Sequence, residues 1–167
     1  MSPSSSSSSS SVSSSSSRYQ AEAGQFLSSF SELSRGLVLD YSVESLQRLD
    51  QFIAENFEPV TESVLHGILP HQVGCYLGEV VIRNLGGWWD QNGAPQIIGI
   101  LDDMPPFHPI EKSVQRFERG QKHALAWAYH TLAKHVHEQQ DEDAHEKSFK
   151  PHQNKGLLGW LKGMLFN

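Results

Sequence analysis

The sequence predicts an α+β fold that is predominantly helical, with its helices packed around one small antiparallel β-hairpin. Two observations lead to this prediction. Apolar residues recur at intervals of three and four through most of residues 19–137, which is the spacing of amphipathic helices. Residues 88–101 instead contain two short apolar runs on either side of a turn sequence around Asn92 and Gly93, which indicates a hairpin.

Three helices are expected before the centre of the chain. The first spans about residues 19–36, and the second begins after Asp40 or Ser42, either of which can cap its first turn. The apolar stripe of the second helix is Val43, Leu46, Leu49, Ile53 and Phe57. A third helix is expected to begin at Pro59 and to be interrupted at Pro70. Its buried residues would be Val60, Val64, Leu65, Ile68 and Leu69.

A fourth helix, over about residues 71–85, is expected to be central, because its apolar residues lead directly into the hairpin. The double glycine at residues 86–87 should end it, since glycine tolerates the left-handed conformation that closes a helix. After a proline-rich loop at residues 102–109, two further helices are predicted at residues 110–118 and 121–139. The buried line of the last helix is expected to be Leu125, Ala128, Leu132 and Val136.

The predicted domain organisation has four segments. Residues 1–18 are almost entirely serine and should be disordered, because they have too few apolar side chains to offset the entropy of ordering. Residues 19–137 form a single globular α+β domain. Residues 138–155 change from acidic to basic and contain almost nothing apolar, which predicts a charged linker, and residues 156–167 are predicted to form an amphipathic helix.

Charge and cysteine content restrict the class of protein. The chain has 13 lysines and arginines against 19 aspartates and glutamates, a net charge of −6, so a nucleic-acid-binding surface is not expected. Cys75 is the single cysteine, which rules out a disulfide within the chain and favours a cytoplasmic location. The N-terminus lacks the basic and apolar regions of a secretory signal, and no apolar run approaches the length of a transmembrane helix.

Three segments together form a recognisable pattern. They are LDYSVESLQRLDQFI at residues 39–53, GCYLGEVVIRNLGGWW at residues 74–89 and FHPIEKSVQRFERG at residues 107–120. This pattern resembles a bacterial family of small proteins that share a domain of unknown function, and the middle segment is the most specific. The resemblance covers about half of the chain. It implies a helical domain with a small β-hairpin in cytoplasmic proteins without an assigned activity, and it carries over no catalytic residue.

Glu79 is the first candidate for chemistry. The apolar residues around it bring it near the buried side of its helix, where an isolated carboxylate is costly. A structural interpretation is an ion pair with Arg83 or Arg116, or hydrogen bonds from backbone donors of the double-glycine turn. A functional interpretation is acid/base catalysis, with His71 or His108 as its partner.

A metal site is a second hypothesis for the same helix. His71, Cys75 and Glu79 recur every four residues, so a helix would align them as candidate metal ligands. Such a set normally needs a further ligand from another element, and no Cys/His pair of recognised spacing accompanies it. The sequence therefore predicts no cofactor, and Cys75 is more simply interpreted as a core thiol.

An interaction surface is predicted around the hairpin and the proline-rich loop. On a strand, Trp88 and Trp89 point to opposite faces, so one of them is expected to face the solvent. With Phe107 and His108 of the loop, an exposed indole would form a recognition patch. The alternative is that the second tryptophan only covers the hairpin.

Residues 156–167 are a second candidate binding element. Their predicted apolar face includes Leu161, Met164 and Leu165, and Trp160 flanks it. The segment is too short to span a bilayer, and three arrangements fit it: it lies in the membrane interface, docks in the groove of a partner protein, or folds back on its own domain.

The sequence therefore predicts a non-enzymatic interaction or adaptor module with a C-terminal docking helix. Its expected partner is a protein, with peripheral membrane contact through residues 156–167 as a further option. The competing hypothesis is a small enzyme that uses Glu79 and a nearby histidine as acid and base. An open cleft that holds both groups would support the enzyme, whereas a buried Glu79 paired only with an arginine would argue against it.

Overall fold

The structure is a computed structural model, and it describes residues 14–33, 36–90 and 95–149. It confirms the predicted fold class, because helices dominate the described residues and a two-stranded antiparallel sheet accompanies them. The helices are α1 (Ser14–Leu33), α2 (Val43–Phe57), α3 (Glu62–Leu65), α4 (Leu69–Leu85), α5 (Pro109–Arg119) and α6 (Leu125–Phe149). The strands are β1 (Trp88–Trp89) and β2 (Ile97–Ile98), and a 3-10 turn (Gly120–His123) precedes α6. None of the described helices is long and apolar enough to cross a membrane.

Two helices extend into segments that the sequence predicts to be irregular. Helix α1 begins at Ser14, inside the predicted tail, and α6 continues to Phe149, inside the predicted linker. Both helices are longer than predicted because polar residues extend a helix once its apolar part has nucleated it. The rest of the tail and the predicted helix at residues 156–167 lie outside the described residues. The chain divides into two units after Val136, and the hydrophobic core belongs to the first.

Helix α4 is the centre of this core and packs against α1 and α5. Its residues 73–81 are buried without interruption, so this stretch is covered on all sides rather than amphipathic as predicted. Two glycines permit the close approach. A Cβ at Gly74 would lie 2.5 Å from Ile110 Cα, and one at Gly78 would lie 2.1 Å from Trp89 Cζ2. Neighbouring elements therefore occupy the space that larger side chains would need.

The predicted buried stripes of α2 and α6 are confirmed over most of their length. The buried residues are Leu46, Leu49 and Ile53 of α2, and Leu125, Ala128, Leu132 and Val136 of α6. Helix α2 begins with the predicted cap, since the Ser42 hydroxyl accepts a hydrogen bond from the Ser45 N–H at 3.2 Å. The apolar patterns therefore identify correctly which faces of these helices meet the core.

The boundaries of α4 differ from the prediction at its start and agree at its end. Pro70 lies in the first turn of α4, where its missing N–H is not needed, so it begins a helix rather than interrupting one. The predicted third helix is reduced to α3, and Ile68 is exposed rather than buried. At the other end, Gly86 has a φ of +89° and its N–H donates to the Ile82 carbonyl oxygen at 3.0 Å.

The hairpin follows directly from this helix end. Strand β1 pairs with β2 so that Trp88 lies opposite Ile98 and Trp89 opposite Ile97. Ile97 also exchanges two backbone hydrogen bonds with Phe107, at 2.7 and 2.9 Å. The proline-rich loop is thereby fastened to β2, which lies between β1 and the loop.

Candidate functional site

Three potential metal ligands from two helices converge at one point of the fold. Glu22 Oε2 lies 2.5 Å from His71 Nε2, and the Cys75 thiol donates a hydrogen bond to the same oxygen at 3.4 Å. The ligating atoms of the three residues all lie within 4.8 Å of one another. No other group of three His, Cys, Asp or Glu side chains in the described part of the chain is arranged in this way. We call these residues the Glu22–His71–Cys75 cluster.

The cluster forms where α1 packs against α4. His71 and Cys75 are one helical turn apart on α4, so they lie on the same face. Ala23 and Phe26 are buried on α1, and the Phe26 ring packs against α4, which brings Glu22 alongside. Cys75 is fully buried, whereas the Glu22 and His71 side chains remain 22% and 36% exposed. The cluster is therefore closed towards the core and open to solvent at its rim.

The fold shifts the pKa values of Glu22 and Cys75 in opposite directions. Partial burial raises the pKa of Glu22, but hydrogen bonds from Arg18, His71 and Cys75 outweigh it, so the net pKa lies below its ordinary value. Arg18 Nε donates to Glu22 Oε1 at 2.9 Å, which leaves Oε2 to the other two residues. Burial, followed by the adjacent carboxylate, raises the pKa of the Cys75 thiol far above its usual range. Without a bound cation the thiol is therefore protonated, and a protonated thiol is a poor nucleophile.

Glu22→Gln is expected to lower the free energy of unfolding of the metal-free protein by about 1–2 kcal/mol at neutral pH. A carboxyl pKa lowered by folding stabilises the protein above the ordinary value of 4.5, and this contribution is lost as the pH falls through the folded-state value. The difference between wild type and variant should therefore shrink below pH 4.5. Urea unfolding at a series of pH values, with a chelator present, measures this difference. A difference that does not change with pH would contradict the charged role of Glu22.

Glu79 lies outside the cluster, although the sequence groups it with His71 and Cys75 as a metal ligand. The spacing of four continues from Cys75 to Glu79, but Glu79 is ~12 Å from His71 along the helix axis. This distance is too long for the two side chains to share an ion. Glu22 supplies the carboxylate beside His71 and Cys75 instead.

Glu79 has the contacts of a buried structural carboxylate. It is 5% exposed, its Oε1 accepts a hydrogen bond from Trp89 Nε1 at 3.1 Å, and its Oε2 lies 3.7 Å from Arg83 Nε. The predicted ion pair with Arg83 is confirmed. His71 and His108 are its predicted partners in catalysis, but no hydrogen bond joins Glu79 to either of them within residues 14–33, 36–90 and 95–149.

Of the predicted recognition patch, Trp88 is exposed and His108 is partly buried. Trp88 is 56% exposed, and three atoms of its indole lie within 2.7 Å of the position that a Cβ on Gly99 would occupy. Trp89 is fully buried and Phe107 is nearly so, and both therefore belong to the core rather than to a binding surface. The alternation predicted for the two tryptophans is confirmed, with Trp88 as the outward residue.

A network of buried charges that the sequence did not reveal joins α2, α5 and α6. The fully buried Arg116 donates to Asp50 Oδ1 at 3.0 Å, to the Asp50 carbonyl oxygen at 3.0 Å and to Glu58 Oε1 at 2.6 Å. The Asp50 carboxylate also accepts the N–H groups of Leu125 and Ala126, at 2.9 and 3.0 Å. These contacts provide hydrogen-bond acceptors for the buried guanidinium and for the first N–H groups of α6. The network therefore has a structural role.

An apolar cleft of about 350 Å³ opens between α1, α2 and α4. Its lining is mainly aromatic and aliphatic, and it includes Phe26, Phe30, Phe52 and Phe57. No His, Cys, Asp or Glu side chain of the described residues lines it. The cleft therefore offers neither an acid/base group nor a metal ligand.

Comparison with known proteins does not assign the chain to a family. No protein-family model matches it, and searches of curated proteins and of solved structures find no match. The resemblance to a bacterial family of unknown function stays a prediction, and a function has to be inferred from the geometry of the fold.

Proposed function

We propose that the protein is a non-enzymatic interaction module that binds a basic segment of a partner protein at the surface around Trp88. The observation that carries this proposal is the accessible indole of Trp88, which is held against the backbone at Gly99. An indole that is already immobilised loses little conformational entropy on binding. Tryptophan is also among the residues most enriched at energetically dominant interface positions.

Acidic residues that follow β1 and β2 in the chain favour a basic partner. Asp90 follows β1 directly, and Asp102 and Asp103 are exposed residues that follow β2 closely in the chain. The whole chain carries a net charge of −6. A lysine or arginine over an exposed indole gains roughly 0.5–1 kcal/mol from the cation–π interaction, and the net negative charge of the chain adds to the attraction.

Residues 156–167 supply a second docking point in this proposal. The apolar face predicted there, with Leu161 on it and Trp160 beside it, is supported by the sequence pattern and lies outside the described residues. Two weak sites on one chain raise the apparent affinity for a partner that engages both of them. Recognition by Trp88 does not depend on this second contact.

Trp88→Ala is expected to weaken the binding of basic peptides by at least ~30-fold, the effect of losing a dominant interface residue. Peptides are first selected from a random displayed library against the full-length protein. Their affinities are then measured by fluorescence anisotropy. Trp127→Ala is the matched control, because Trp127 of α6 has a similar exposure of 60% and should not contribute to binding.

Two further results distinguish a basic partner from other partners. The selected peptides should contain lysine or arginine, and their affinity should fall as the salt concentration rises. Selection of acidic or purely apolar peptides would contradict the basic partner. Equal losses from Trp88→Ala and Trp127→Ala would contradict the location of the binding surface.

A further inference from the structure

We propose that Glu22, His71 and Cys75 bind a zinc ion, with three protein ligands and a fourth position open to solvent. The proposal does not depend on the peptide-binding surface around Trp88. The cluster combines a carboxylate oxygen, an imidazole nitrogen and a sulfur, each of which is a normal ligand of Zn²⁺. The hard cations Mg²⁺ and Ca²⁺ would instead select oxygen ligands alone.

The three ligand atoms lie within 4.8 Å of one another, and one of the two pairs that include Glu22 Oε2 already has the spacing that zinc requires. Bond lengths of ~2.0–2.3 Å at tetrahedral angles separate two ligand atoms by ~3.3–3.6 Å. Cys75 Sγ and Glu22 Oε2 are 3.4 Å apart, which falls within this range. Glu22 Oε2 and His71 Nε2 are 2.5 Å apart, as hydrogen-bonded atoms. They must separate by about 1 Å when an ion replaces the shared proton, and both side chains are partly exposed and have room to move.

The fold arranges the ligands before an ion is present. His71 and Cys75 share one face of α4, so a single rigid helix sets two of the three positions. Glu22 comes from α1, and Arg18 holds its other carboxylate oxygen at 2.9 Å. A hydrogen bond of this kind orients a ligating carboxylate and strengthens the site.

Binding exchanges protons for the ion and leaves the charges balanced. The Cys75 thiol releases its proton to solvent and binds as a thiolate. The proton that His71 Nε2 shares with Glu22 Oε2 is also given up to solvent, so His71 binds through the Nε2 lone pair as a neutral imidazole whose remaining proton is on Nδ1. One thiolate and one carboxylate then neutralise the two positive charges of zinc. This balance matters because the sulfur is buried, where net charge is costly.

The fourth coordination position faces the rim of the cluster. The Glu22 and His71 side chains are partly exposed while Cys75 is covered, so an ion enters from the solvent side. A water molecule or a side chain from a partner completes the tetrahedron there. Zinc sites with a purely structural role are usually closed by four protein ligands, so three protein ligands leave one position for an exchangeable ligand.

Titration of the full-length, chelator-treated protein with Co²⁺ tests the site. Cobalt occupies tetrahedral zinc sites, and a thiolate ligand adds a near-ultraviolet charge-transfer band that imidazole and carboxylate ligands do not produce. We expect this band at an equimolar amount of Co²⁺, and we expect Zn²⁺ to abolish it. Cys75→Ala should remove the band. His71→Gln and Glu22→Gln should each weaken Co²⁺ binding by more than ~10-fold.

His66→Gln is the matched control for these variants. His66 Nε2 lies 3.0 Å from Glu62 on the surface, so it forms a histidine–glutamate pair without a cysteine. This variant should bind Co²⁺ as the wild type does. Circular dichroism of each variant establishes that it is folded.

X-ray absorption at the zinc edge provides a measurement on the wild type that needs no variant. A sulfur and an imidazole are expected among the atoms bound to zinc. A coordination sphere of nitrogen and oxygen alone, or a cobalt complex without the thiolate band, would mean an adventitious ion only and would overturn the proposal. A thiolate band of wild-type affinity in both His71→Gln and Glu22→Gln would overturn the assigned ligands.

Discussion

Replacing Asp50 with alanine is expected to reduce the free energy of unfolding by about 3–5 kcal/mol. The change removes the carboxylate that lies 3.0 Å from the fully buried Arg116 guanidinium. It also removes the acceptor for the N–H groups of Leu125 and Ala126, which begin α6. Urea unfolding followed by circular dichroism, analysed with a common m-value, measures the loss.

Two milder variants separate the charge of this network from its capping role. Asp50→Asn keeps an acceptor for the start of α6 but loses the negative charge, so its stability should lie between wild type and Asp50→Ala. Glu58→Gln changes the outer partner of Arg116, which is 32% exposed, and it should cost at most about 1 kcal/mol. If Asp50→Ala were as stable as Glu58→Gln, the network would not be what joins α2, α5 and α6.

Gly78→Ala is expected to destabilise the protein by about 1–3 kcal/mol, because the added methyl group overpacks the core. A Cβ at this position would lie 2.1 and 2.4 Å from two atoms of the Trp89 ring, which is inside van der Waals contact. The ring is fully buried and its Nε1 donates to Glu79, so it cannot move aside at low cost. Urea unfolding, monitored by tryptophan fluorescence, measures the change.

Gly24→Ala is the matched control and should have the opposite sign. Gly24 also lies within a helix, but no heavy atom of another element is within 4 Å of its Cβ position. The substitution should therefore stabilise the protein by roughly 0.5–1 kcal/mol through helix propensity alone. A Gly78→Ala protein that gained stability in the same way would contradict the close packing of α4 against the hairpin.

The candidate metal ligands show what helical spacing can and cannot predict. His71 and Cys75 could be identified from the sequence, because residues four apart lie on one face of a helix. Glu22 could not, since it is separated from His71 by 49 positions in the chain. Glu79 continues the same spacing, but continued spacing also means greater distance along the axis. Alignment on a face was therefore a correct guide to neighbours and a poor guide to a complete ligand set.

The partners of Glu79 illustrate the same limit. Of the two arginines predicted to form an ion pair with it, Arg83 is confirmed, and Arg116 pairs with Asp50 and Glu58 instead. The contact with Arg83 could be derived because it depends on one helix alone. The contacts of Arg116 depend on how α5 docks against α2, and no periodicity within either helix encodes that arrangement.

Local sequence patterns were sufficient to predict the helical fold class, the hairpin and the helix end at Gly86, because each depends on interactions between residues close together in the chain. Strand alternation also predicted one outward tryptophan. Only packing in the folded chain decided that it is Trp88, with Trp89 in the core against Gly78. The meeting of Glu22 with α4 was likewise decided by tertiary structure, since it requires the buried faces of two helices far apart in the chain to dock together.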